Sequence, residues 1–195
     1  MTINPTSRQS LFTLAAGLSP MLVAATDLAG GLALAGAFLC VFTVASALPL
    51  LLPQRFQAQS LTMITLALAA VVLSLYASIV RILDPMLFEL LYRRLFIVLF
   101  LAPVMAAARA PACESERDRA WEELIRGAVM SLLILAMGFA RELLSTGAVS
   151  LVQNEAALAR PFLPIMAQPA GAFMLLALGS ALTLSIIRLA KRSNV

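Results

Sequence analysis

The chain has 195 residues, of which 62% are hydrophobic and only 12% charged, with a mean hydropathy of +0.96. Soluble domains run nearer half apolar and a quarter charged, so the composition excludes a water-soluble globular fold and describes an all-α integral membrane protein. A net charge of +4 and a pI near 9.8 would suggest nucleic acid in a soluble protein; in this composition they suit the orientation of membrane helices, and no nucleic-acid partner is expected.

Spanning helices need about 20 mostly apolar residues. The first apolar stretch, residues 10–26, carries Gly17 and Pro20 at its centre and reads as a broken helix. The start MTINPTSRQS lacks the basic region and cleavage site of a signal peptide, so this segment is expected to be retained. Residues 30–53 and 60–83 are regular spans. Residues 87–108 begin as a charged helix with Glu89, Arg93 and Arg94, turn wholly apolar, and meet Pro103, which predicts a second break. The phrases LSPMLVAA (18–25) and LAPVMAAA (101–108) echo one another, each with a proline inside an apolar run. The charged run CESERDRAWEELIR (113–126) reads as a solvated turn opening the fifth helix, with Asp118 as its N-cap and Glu122 pairing with Arg126, or as a docking surface for a soluble partner. Spans at 124–144 and 170–190 follow, separated by a polar, proline-bearing loop over 145–169.

This makes six membrane segments in two triplets, 1–84 and 85–195, forming a single membrane domain. Three spans per half put the halves in opposite orientation, the pattern of inverted repeats with discontinuous helices. With both termini cytoplasmic, nine basic residues including Arg8, Arg55 and Arg109 fall inside and five including Arg81, Arg93 and Arg94 outside, which favours that topology.

Chemistry-bearing candidates are few. The chain has no histidine and two cysteines, Cys40 in a span and Cys113 in the charged loop. No catalytic constellation, phosphate loop or metal-ligand spacing is present, so no catalytic or metal-binding residue is assigned. Small-residue pairs such as Gly31 with Ala35, and Ala177 with Ala181, would admit close helix packing. The scattered methionines read as filler. Arg141 and Glu142 close the fifth span, where charge near hydrocarbon is expensive. They either cap that helix at the external interface or turn one side chain inward toward an ion path.

Four stretches together, AAGLSPMLVAA (15–25), ARAPACES (108–115), GFARELLSTGAV (138–149) and QPAGAFMLLALGSAL (168–182), carry a resemblance. Over residues 10–190 the chain resembles the membrane subunits shared by the Rnf electron-transport complex and the sodium-pumping NADH:quinone oxidoreductase (Nqr), and more closely their RnfE and NqrD branch. The resemblance implies six helices in two inverted halves, interrupted first and fourth helices, and pairing with a homologous subunit of opposite orientation among other Rnf- or Nqr-type subunits. It implies residence in a bacterial inner membrane and a 2Fe-2S cluster shared between the pair, two cysteines from each chain. The motif Gly-Leu-Cys-Pro reads Gly17-Leu18-Ser19-Pro20 here, and the second cysteine position, five residues before Arg109, is Val104. The expectation is a divergent, non-catalytic subunit of an ion-translocating oxidoreductase that binds no cofactor through Ser19 or Val104. The alternatives are a stand-alone inverted-repeat transporter or channel, with Asp27 and Glu142 as candidate ion-path residues, and a structural membrane scaffold.

Overall fold

The computed structural model describes residues 19–51, 58–107, 116–147 and 163–192. Within them the chain is helical: α1 at residues 19–24, α2 at Leu28–Leu51, α3 at Ala58–Leu83, α4 at Pro85–Ala107, α5 at Glu116–Thr146, a 3-10 turn at Pro164–Ala167, and α6 at Pro169–Arg192.

α2 is the central element, with most of its apolar surface buried against its neighbours while Leu32 and Cys40 stay exposed. It packs most extensively on α5 and also against α4 and α3. Its small residues set the spacing. A Cβ on Gly31 would lie 3.3 Å from the Cα of Gly138, and one on Gly138 would lie 2.7 Å from the carbonyl oxygen of Asp27, so α2 and α5 cross with backbones nearly touching. Below that crossing Phe38 and Phe42 stack with ring centroids 5.5 Å apart, and Phe42 fills the space that Gly127 leaves open on α5. Phe38, Val41, Phe42 and Ile134 are fully buried and make this interface a dry plug. Two hydroxyls tie the neighbours to α2 carbonyls: Tyr76 to Ala33 at 2.9 Å and Ser131 to Ala35 at 2.9 Å.

α3 and α4 form a tight hairpin through Asp84. The Asp84 carboxylate accepts from the backbone N–H groups of Met86 and Leu87, both at 3.0 Å, with Pro85 opening the helix where its missing N–H costs nothing. The outer surfaces of α3 and α5 stay apolar: Met63, Leu75, Ile79 and Ile82 on one, Val129, Leu132 and Leu133 on the other, are all exposed. A surface of that kind faces lipid.

Three helices, at Leu28–Leu48, Ser60–Leu83 and Ala120–Thr146, are long and apolar enough to cross a membrane. α4 carries Glu89, Arg93 and Arg94 in its first half, and the apolar helical run described in α6 is the shorter Pro169–Gly179.

Several boundaries differ from the sequence expectation. Ser19 and Pro20 are already helical, so α1 is not interrupted at Pro20, and residues 25–27 form the junction between the expected first segment and the second span, where other helices supply partners for the freed backbone groups; Gly17 lies outside the described residues. α4 runs unbroken through Pro103 to Ala107. A proline near a helix end removes one hydrogen bond, and packing on α2 and α3 outweighs that loss. α5 begins at Glu116, so Asp118 sits inside the helix instead of capping it. Arg126 pairs with Glu123, at 3.7 Å, rather than with Glu122, because residues 123 and 126 share the buried face of α5 while Glu122 points out. Of the loop expected at 145–169, Ser145 and Thr146 complete α5 and Gly147 follows with φ 74°, while 163–168 form the 3-10 turn and its flanks. The remainder of that loop, and Cys113, lie outside the described residues.

Candidate functional site

A helix that stops inside an apolar bundle leaves carbonyls without donors at one end and N–H groups without acceptors at the other. The stop between α1 and α2 creates both at once. α1 presents the carbonyls of Val23, Ala24 and Ala25, and α2 starts with the N–H groups of Leu28 to Gly30.

Charged side chains from α4 and α5 meet these groups. Arg141 is wholly buried, the largest such side chain in the described structure. Its Nη1 donates to the carbonyls of Val23 and Ala25, both at 2.8 Å. Its Nε donates to Met166 O at 3.0 Å and its Nη2 to Gln168 O at 3.2 Å. One guanidinium therefore joins the end of α1 to the 3-10 turn that precedes α6. Arg94 takes the remaining carbonyl: its Nη1 donates to Ala24 O at 2.8 Å and to the Thr26 hydroxyl at 2.7 Å. The Thr26 hydroxyl in turn donates to Asp27 Oδ1 at 2.7 Å.

The start of α2 is capped by acids. Glu142, 3% exposed, accepts from Leu28 N at 2.6 Å, and Asp27 Oδ2 accepts from Gly30 N at 3.3 Å. The two arginines thus stand at the negative end of α1 and the two carboxylates at the positive end of α2, each where the helix dipole favours it. Two positive and two negative side chains leave the group neutral, which makes its burial tolerable.

Glycines make the geometry possible. The Gly31–Gly138 contact brings α5 close enough for residues 141 and 142 to reach the break. A Cβ on Gly171 would lie 2.5 Å from Met166 Cα, so only glycine lets the 3-10 turn fold back on α6. The junction lies at the level of Arg94, ten residues along α4 from Asp84, about 15 Å of helix, and close to the end of α5 at Thr146. A cleft of about 220 Å³ opens beside it, lined by Thr26, Asp27, Leu87, Leu90, Leu91 and Arg94.

The sequence expectation for Arg141 and Glu142 is corrected in its detail. Neither caps its own helix at an interface; both turn inward and brace another segment. Asp27 caps α2. Arg94 and Thr26 join the group without having been expected there. The signal for Arg94 is its charge at the point where α4 turns apolar, but nothing in the sequence pairs it with residues seventy positions earlier.

Glu142 provides a direct check. Glu142→Gln keeps an acceptor for Leu28 N but loses the charge at the helix start, and should cost about 1 kcal/mol. Glu142→Leu leaves that N–H unsatisfied and should cost about 2 kcal/mol or more. Thermal unfolding of the detergent-solubilised chain should rank wild type above Gln above Leu; equal melting would show that the cap contributes nothing.

The two positions at which the resemblance places cluster cysteines lie elsewhere. Ser19 is half-buried in α1, and Val104 is 64% exposed on α4 between buried Pro103 and Met105. Iron-sulfur clusters are held by thiolates. A hydroxyl is a poor substitute, and an isopropyl group turned outward offers no lone pair, so these side chains do not fit a 2Fe-2S cluster. Cys40 is exposed on α2. Among the described residues no three His, Cys, Asp or Glu side chains are grouped to hold a metal ion.

Compared with known protein families, the chain matches the family described as Rnf-Nqr subunit, membrane protein, over residues 4–179. No curated protein and no solved structure matches the chain.

Proposed function

Because this chain belongs to the Rnf-Nqr membrane-subunit family, we propose that it is a non-catalytic membrane subunit of an ion-translocating electron-transport complex. In this reading it stands nearest the RnfE and NqrD branch. It sits in a bacterial inner membrane with both termini cytoplasmic, as six segments in two inverted halves. It works beside a homologous subunit of opposite orientation and contributes no thiolate to a cluster, since Ser19 and Val104 stand at the cysteine positions.

The observation that carries this reading is the buried Arg141 bridge between the end of α1 and the turn before α6. Discontinuous backbone at membrane depth survives only where protein covers it or it lines a cavity. Here the covering is built in: two guanidinium groups and two carboxylates are engaged with the break. Charges engaged in this way are poor candidates for an ion relay, and the Phe38–Phe42–Ile134 plug closes the α2–α5 interface to ions. The chain's own contribution is then to hold a discontinuous segment in a fixed shape for the subunits around it.

The test is affinity purification of the tagged chain from native membranes in mild detergent, with mass spectrometry of the companions. Flavin- and iron-sulfur-bearing subunits are expected. Recovery of the chain alone would overturn the proposal in favour of a stand-alone transporter or scaffold. A second expectation is independent of partners: anaerobic treatment of the purified chain with iron and sulfide should give no thiolate-to-iron charge-transfer absorption. Its appearance would show a cluster site that Ser19 and Val104 cannot account for.

A further inference from the structure

The outward face of α4 presents two ionisable side chains with no partner among the described residues. Glu89 and Arg93 are both exposed and make no hydrogen bond or ion pair among the described residues. They flank an aromatic ridge with a four-residue spacing: Phe88 to Tyr92 and Tyr92 to Phe96 each lie 6.3 Å apart between ring centroids. Phe100 continues the ridge at 64% exposed.

α3 fixes the level of these charges. The two helices pack on each other and reverse direction at Asp84. Counting equally from that turn sets Glu89 level with Ile79 and Arg93 level with Leu75, which are 56% and 63% exposed. Any layer of hydrocarbon that covers Ile79 and Leu75 also covers Glu89 and Arg93. An ionised side chain facing lipid at that depth is costly and is ordinarily turned toward protein or water. Closing the pair within α4 would still leave guanidinium donors facing hydrocarbon.

We propose that this face is a protein interface. It takes a membrane helix of a different subunit, one that offers a carboxylate to Arg93, a basic group to Glu89, and aliphatic side chains to the Tyr92–Phe96–Phe100 ridge. Arginine and aromatic residues are the types enriched where subunits meet. The inference rests on the reading of the chain as a subunit, and adds to it the surface and the partner's chemistry.

The test uses the full-length tagged chain in its native membranes, with photoreactive benzoyl-phenylalanine in place of Phe96 and, as a lipid-facing control, of Met63, which is 71% exposed on α3. Illumination should give an adduct with another membrane subunit from position 96 and none from position 63. In parallel, Glu89→Arg combined with Arg93→Glu should cut the co-purifying subunits at least about tenfold while the variant still elutes as a single species. The reversal also separates partners, because two copies of the reversed chain would remain complementary to each other. An adduct of the chain with itself would overturn the proposal in favour of self-association, and companions recovered undiminished after the reversal would overturn it by showing that they bind elsewhere. Absence of any protein adduct at position 96, with companions still recovered from wild type, would overturn this interface and leave the subunit reading intact. A wild-type chain purified without companions would overturn both.

Discussion

Replacing Arg141 should unfold the half of the bundle around the break. Arg141→Leu keeps the volume and removes every donor, leaving the carbonyls of Val23, Ala25 and Met166 short of a partner in an apolar setting, while Gln168 O keeps its bond from Gly171 N, and two carboxylates short of a counter-charge. Breaking a buried charged network from one side costs about 3–5 kcal/mol, a large share of a membrane domain's stability. Arg141→Lys keeps the charge but not the planar fork that spans four acceptors, so it should recover less than half of the loss. Size-exclusion chromatography after a temperature ramp checks both variants: wild type should persist longest, the lysine variant should melt earlier, and the leucine variant should aggregate near the start. A leucine variant as heat-stable as wild type would mean the bridge is dispensable.

A methyl group at Gly138 should act on the same site from a distance. Its Cβ would lie 2.7 Å from the Asp27 carbonyl and 3.2 Å from Gly31 Cα, both backbone atoms that cannot swing aside. α2 and α5 must therefore separate, at an overpacking cost of about 1–3 kcal/mol. Separation also draws residues 141 and 142 away from the break, so Gly138→Ala should expose α1. Limited proteolysis of the solubilised protein should then cut near residues 25–27 in the variant and not in wild type. Gly179→Ala on α6, where a Cβ meets nothing within 4 Å, should be neutral and serves as the control.

These two expectations show how the site divides between what the sequence displays and what it hides. Arg141 and Glu142 stand out because charge is rare in an apolar run, and rarity marks function or a hidden partner. Which partner they serve is not visible there. Arg141 reaches Val23 across 118 positions and Gln168 across 27, and no local pattern encodes such pairings. The prolines are misleading guides to the interruptions. A proline removes one donor wherever it stands, but whether the helix stops there depends on neighbours. Pro103 passes inside α4 because α2 and α3 hold the helix, whereas the chain stops at residues 25–27, which contain no proline, because Arg94, Arg141 and Glu142 satisfy the ends.

The departure from the cysteine pattern is the reverse case, since a missing thiol is a fact of sequence that no fold can restore. The structure adds that the side chain at one of those positions, Val104, faces outward on α4.

Composition alone determined that this is a helical membrane protein, since long runs drawn from 62% apolar residues satisfy their own backbone in lipid by forming helices. Local pattern also placed the ends of α2, α3, α4 and α6 within about two residues, and missed the first two turns of α5, which begins at Glu116. Only the tertiary structure decided that α2 lies at the centre, that two glycines set its contact with α5, and that three charges from α4 and α5 converge with Asp27 on one interruption of the chain. The physical reason is the range of the forces: hydropathy acts residue by residue, whereas an orphaned backbone group is satisfied by whichever donor or acceptor the packing brings within about 3 Å.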